Sequence, residues 1–223
     1  IMPLIGDTIY ATNDGYCSVG LGAWNAMRSS TGSTGNSTNQ NDAQAVRNYY
    51  HSGRGTWGIR RAFFEFDTSS INQPVSAAYI GIHGLSNNDR KVVLVKSSQG
   101  TTLSAGDFDS FDSTVRSQLG ASDGSGAGRL NSMSDYIYSS SSGQSWYLNI
   151  YNKLILTSKG LEDLVTLDRF TVCLMNYDFD FLDISGTVNQ DIGLRWSERG
   201  GTTQDPKLDY IIADNAISFG TNF

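Results

Sequence analysis

Arg61-Ala62-Phe63-Phe64-Glu65-Phe66-Asp67-Thr68-Ser69-Ser70-Ile71 decides the fold, together with Val75-Ser76-Ala77-Ala78-Tyr79-Ile80-Gly81-Ile82-His83 just beyond it. In the first run Ala62, Phe64 and Phe66 share one side, and Arg61, Phe63 and Glu65 the other. In the second, Ala78, Ile80 and Ile82 oppose Ala77, Tyr79 and His83. Period-two alternation carried by aromatic and β-branched residues reads as two half-buried strands. Asp67-Thr68-Ser69-Ser70 and Asn72-Gln73-Pro74 supply the turn chemistry between them. Two neighbouring strands with one apolar face each need a second sheet over that face, which the rest of the chain must provide.

Working outward, residues 4–12 read as a first strand, stopped by Asn13-Asp14-Gly15. Residues 29–41 are almost pure Ser, Thr, Gly and Asn and read as a solvent loop. Residues 43–50 form a strand ending in Tyr49-Tyr50, and a Gly-rich turn around Trp57 leads into the central pair. Lys91-Val92-Val93-Leu94-Val95-Lys96 is the best central buried strand. Residues 107–111 read as a short turn or one helical turn, and residues 120–128 as a flexible loop. Further strands are expected at 146–150, 154–156, 170–177, 192–197 and 207–212, and the one plausible helix at 158–165. Short strands, long polar loops and at most one or two short helices give an all-β antiparallel sandwich, or jelly roll. Without an internal repeat or a clear linker, residues 1–223 read as one domain.

The composition narrows the function. A formal net charge of −6 argues against nucleic acid, whose phosphates call for clustered Lys and Arg. No apolar run is long enough to cross a membrane, so no membrane insertion is expected. Residues 1–7 lack the pattern of a signal peptide, and a start at Ile1 rather than Met is compatible with excision from something longer. Cys17 and Cys173 stand in apolar or Gly-rich surroundings and read as two free buried thiols, a disulfide being the alternative.

Catalytic patterns are weak. The two histidines, His51 and His83, have no Gly-x-Ser-x-Gly elbow to serve, and the glycines of 124–128 lack the Lys-Ser/Thr of a phosphate loop. Asp178, Asp180 and Asp183 follow a strand. In an extended segment Asp178 and Asp180 project to the same side, which reads as acids outward with Phe179 and Phe181 inward. The same acids are candidates for a calcium site, or for glycoside hydrolysis with a carboxylate across a cleft. Tyr49, Tyr50, Trp57, Tyr136 and Tyr138 lie in or beside polar loops. They are candidates for stacking on a sugar ring or a partner surface, against the plainer reading of local packing.

Several landmarks together resemble DNRLRE-type domains. They are Arg61 to Ile71 with Val75-Ser76-Ala77-Ala78-Tyr79-Ile80, Trp146 with Leu148-Asn149, Ser197-Glu198-Arg199, and Gly201-Thr202-Thr203-Gln204-Asp205-Pro206-Lys207-Leu208. The match spans most of residues 7–213 and is most similar to the phage-associated kind. It implies a jelly roll like that of carbohydrate-binding modules. In such folds the two termini often clasp a structural ion, which makes Asp7 and Asp209 a second candidate calcium pair. It also implies a non-catalytic virion or extracellular surface module, working by adhesion and subunit packing. The expected partners are a homo-oligomer, other virion or surface proteins, or a cell-surface glycan. The alternatives are a carbohydrate-binding module of a secreted polysaccharide-active enzyme and, last, a glycan-cleaving enzyme.

Overall fold

The computed structural model describes residues 6–37, 42–86, 90–196 and 204–213. Residues 4–5, 38–41 and 197–203, on which some of the readings above fall, lie outside the described residues. The strands are β1 (Gly6–Tyr10), β2 (Asn13–Ser18), β3 (Thr34–Ser37), β4 (Asp42–His51), β5 (Thr56–Asp67), β6 (Val75–Ser86), β7 (Arg90–Lys96), β8 (Gln144–Trp146), β9 (Tyr151–Ile155), β10 (Arg169–Asn176), β11 (Gln190–Leu194) and β12 (Lys207–Ile212). The α-helices are α1 (Trp24–Arg28), α2 (Ser113–Gly120) and α3 (Ser158–Thr166).

Every pairing is antiparallel, as the sequence pattern predicts. One layer runs β1-β12-β6-β9 and the other β3-β2-β5-β10-β7-β8. β4 and β11 join them along one side, β4 pairing with β5 and β11 with β6. Between the layers Phe64 and Phe66 meet Ile80 and Ile82, all fully buried, with Leu94, Val172, Leu174 and Leu208. Apolar burial at roughly 25 cal/mol per Å2 is what holds such layers together.

β5 was expected to be half-buried, yet both its faces are covered. Arg61 and Phe63 are as inaccessible as Phe64, and Glu65 is nearly so. A third layer explains this. α1, α2, a 3-10 turn (Ala105–Asp109) and a π-helical turn (Tyr177–Phe181) lie over the outer face of the β5 sheet. Ile59, Phe63, Val95, Cys173 and Met175 on the strands pack there against Phe108, Phe111, Val115, Leu119, Leu130 and Phe181.

This cover corrects several local readings. Asn13-Asp14-Gly15 opens β2 instead of ending a strand, because the second edge of β5 offers a ladder for it. The polar loop of 29–41 contributes β3, which pairs with β2. The single expected helix is present as α3, and α1 and α2 add to it. α2 lacked an apolar stripe because only Val115 and Leu119 face inward. Its start is marked by Asp112, whose carboxylate accepts from the Thr114 amide.

Candidate functional site

The β4–β5 hairpin brings three of the five candidate aromatics together. Tyr50 is directly opposite Trp57, and Tyr49 opposite Gly58. Tyr50 and Trp57 therefore share one face, and their ring centroids are 5.1 Å apart. The edge of Trp24 closes on Trp57 at 6.3 Å. The Trp57 indole donates to the Gly186 carbonyl (3.0 Å), and the Tyr50 amide to Asn189 Oδ1 (2.7 Å). These bonds fix the pair while leaving both rings partly accessible. Gly55, at φ 60°, lets the tight turn close.

The opposite face carries Tyr49, Arg47 and Arg60. The Arg47 guanidinium lies 4.3 Å over the Tyr49 ring, and that of Arg60 4.4 Å over Tyr16. Arg47 Nε is 2.8 Å from Asp191 Oδ1. Two cations thus lie over aromatic faces at one end of the sandwich.

The other two candidate aromatics are elsewhere. Tyr136 sits in a 3-10 turn (Ser134–Tyr136) and donates to Asp112 Oδ1 (3.0 Å). Tyr138, expected beside a loop, is 0% exposed. It stacks on Phe170 at 4.9 Å and donates to the Asp163 carboxylate. Burial, then the Asp163 hydrogen bond, push its hydroxyl well above the ordinary tyrosine range. It is a core residue, out of reach of a ligand.

The acids of 178–183 are also corrected. Residues 177–181 form a π-helical turn instead of a strand, and Asp180 on it points inward. Asp180 and Asp183 are buried, and Asp183 sits at φ 58°. Arg61 grips Asp180 with two bonds, Nε to Oδ2 at 2.7 Å and Nη2 to Oδ1 at 2.8 Å. Its remaining donors reach the carbonyls of Phe108 (2.9 Å) and Arg28 (3.1 Å), and its plane lies 4.1 Å over the Phe108 ring. Arg28, also buried, donates to the Asp180 carbonyl (2.6 Å) and stands 3.6 Å from Asp183.

Asp183 further accepts from the Trp24 indole (2.8 Å), Ser122 Oγ (2.5 Å) and the amides of Asp123, Gly124 and Gly128. The glycine-rich stretch read as a flexible loop is thus a cradle for this carboxylate. Burial pushes the Asp183 carboxyl up, but the bonds from Ser122, Trp24 and Gly128, with Arg28 alongside, hold it below the usual range. Burial pulls the Arg28 guanidinium below its ordinary value against the opposing pull of Asp180 and Asp183. For Arg61, burial acts downward too, but Asp180 outweighs it and the group stays raised.

Among the described residues, no cage of oxygens surrounds either set of calcium candidates. Asp180 and Asp183 are spent on arginines, and Asp178 alone on that turn is partly exposed. The terminal strands do lie side by side, but Asp7 is opposite Tyr210 and Thr8 opposite Asp209. Neighbouring positions on a strand point to opposite faces, so the two acids diverge. Asp209 accepts from Thr8, from Tyr79 and from Lys207 (2.9 Å). Among the described residues, no group of three or more His, Cys, Asp or Glu side chains converges as a metal site would require. Cys17 and Cys173 are both buried and unbridged. Burial, then Asp107, push the Cys17 thiol up to about 12.

Arg28 and Arg61 are the residues that sequence reasoning missed. The available signal was Arg61 alternating with Phe63, an arginine in register with an apolar face. No family model matches the chain, and comparison with curated proteins gives no relative.

Proposed function

We propose that the chain is a non-catalytic structural and adhesion module of a virion or other extracellular surface assembly. Its contacts are made through the β4–β5 end and through packing against copies of itself. The observation that carries this reading is the division of labour among the candidate residues. Tyr49, Tyr50 and Trp57 gather where solvent reaches them, whereas Asp180 and Asp183 are turned inward to bind Arg61 and Arg28. A pair of carboxylates facing across a cleft, which glycoside hydrolysis uses, has no counterpart in that buried arrangement. The outer face of β1-β12-β6-β9 supports packing between copies. Ile155 is 69% exposed there, and a largely apolar cavity of about 450 Å3 is lined by Ala77, Tyr79, Ile155 and Ile211.

A second reading, a carbohydrate-binding module of a secreted polysaccharide-active enzyme, is favoured by the same Tyr50–Trp57 pair. Native mass measurement with a glycan array, run with and without EDTA, separates the two. The first reading expects discrete trimers or larger assemblies and no effect of EDTA. A monomer with one strong neutral polysaccharide hit supports the second. A monomer that shortens array glycans overturns both.

A further inference from the structure

We propose that β1 pairs edge to edge with β1 of a second copy of this chain, antiparallel about a two-fold axis through Thr8. This pairing rests on the packing of copies proposed above and gives the surface where they meet. β1 pairs with β12 in an unbroken antiparallel register. That register continues to Ala11, whose amide donates to the Pro206 carbonyl opposite it (3.0 Å). Bonded and non-bonded pairs alternate along an antiparallel ladder. Ile9 and Asp7 are therefore bonded to β12, and Gly6, Thr8 and Tyr10 turn their backbone groups away from it. The Thr8 amide agrees, since it donates to the neighbouring Asp7 Oδ1 (2.7 Å). Among the described residues no strand pairs with this outer edge.

The other sheet edges carry protection that β1 lacks. The edge of β9 is met by Gln144 Nε2, which donates to the Lys153 carbonyl (2.7 Å). β3 lies against the Ala105–Asp109 turn so closely that a Cβ on Gly35 would fall 2.0 Å from the Ser104 carbonyl carbon. β8 is a strand of only 3 residues.

A two-fold through Thr8 makes the β1 edge its own complement. Thr8 meets its equivalent, and Gly6 of each copy meets Tyr10 of the other, because the two stand equally far on either side of Thr8. Tyr10 is 56% exposed, and in the pair its ring lies over a glycine, which leaves room for it. Nothing inside one copy calls for glycine at position 6. Its φ is not positive, and a Cβ there would meet the Tyr210 carbonyl oxygen at an ordinary 3.5 Å. The apolar cavity of the outer face reaches Gly6 and Thr8, so pairing joins the two cavities into one strip. Asp7 sets the strength of the contact. Its carboxylate must release the Thr8 amide to the other copy, and the two Asp7 side chains lie diagonally across the new ladder, each opposite Ile9. Charge on an edge strand holds off pairing, so association is expected to rise with salt.

The test is sedimentation with NMR amide exchange on the whole chain across a concentration series. Amides of Thr8 and Tyr10 are expected to slow by roughly tenfold or more as the chain is concentrated, and those of Asp7 and Ile9, already bonded to β12, to change far less. Thr8→Pro removes the outward amide without touching the β12 bonds and is expected to weaken association by roughly tenfold or more. Thr8→Val keeps the amide and loses the hydroxyl, and is expected to leave association unchanged. Asp7→Asn is expected to tighten it. Equal effects of Thr8→Pro and Thr8→Val overturn the proposal, as do Thr8 and Tyr10 amides whose exchange ignores concentration. Should Thr8→Pro fail to fold, amide exchange in the unaltered chain decides. Trimers or larger assemblies that leave those amides unprotected sink this edge and keep the assembly reading. A dimer built through them that grows no further keeps the edge and sinks the larger assembly. A monomer at every concentration overturns both.

Discussion

Asp180 is where the chemistry of the sequence and its structure part company. An acid after a strand is a fair candidate for a ligand or a catalyst, and here it holds two buried arginines under a cover of loops. The difference lies in the backbone. A strand would have set Asp178 and Asp180 on one outward side, whereas the π-helical turn points 180 inward. Asn176 starts that turn by accepting from the Phe179 amide (2.9 Å), an exchange that local sequence does not advertise. Removing one partner of a buried ion pair leaves the other charge unpaired, which costs about 3–5 kcal/mol. Asp180→Asn is therefore expected to lower stability by about that much in denaturant unfolding. The double variant Arg61→Leu/Asp180→Leu is expected to lose less than the sum of the two single changes. Additive losses would show that the pair does not act as a unit.

At the scale of elements, strands with an apolar face were legible and those held mainly by backbone were not. β5, β6, β7 and β10 carry continuous or alternating apolar residues, and each lies where its pattern places it. β2 and β3 are polar and Gly-rich, and their place depends on the unpaired edge of β5, which no local window contains. α3 was legible because its apolar residues recur at helical spacing, with Leu164 buried on the core. What anchors it is Asp163, which meets Lys96 (2.7 Å), Lys159 (3.0 Å) and the Tyr138 hydroxyl.

This anchor makes two opposed pH limbs. Burial pushes the Asp163 carboxyl up, but Lys96, Tyr138 and Lys159 together hold it below the ordinary value. A depressed carboxyl contributes stability that is complete above its unfolded value, about 3.9, and is lost as pH falls through the folded one. The raised Tyr138 hydroxyl contributes stability complete below its unfolded value, about 10, and lost as pH rises beyond it. Thermal melts across pH are expected to show both limbs. Tyr138→Phe should weaken the alkaline one, to which the raised Tyr151 hydroxyl and Cys17 thiol also contribute, and an alkaline limb of unchanged size would refute the assignment.

For the whole molecule, the sequence specified two facing layers but concealed the third. Apolar residues on the outer side of β5, Phe63 with Ile59, were visible, but an arginine between them suggested a wet face. Arg61 is dry because Asp180 and the carbonyls of Phe108 and Arg28 satisfy it. Sealed outside by this layer and inside by the second sheet, β5 is buried along residues 61–66 and reaches solvent at its two ends. The adhesion surface proposed above lies at the β4–β5 end, with Tyr49, Tyr50 and Trp57.

Hydrogen–deuterium exchange on the free chain tests this burial of β5 on both faces most directly. Amides of residues 59–66 should exchange only through global unfolding, as slowly as those of 170–175 in β10, while the turn at 52–55 exchanges orders of magnitude faster. Residues 59–66 exchanging at the rate of that turn would contradict the account.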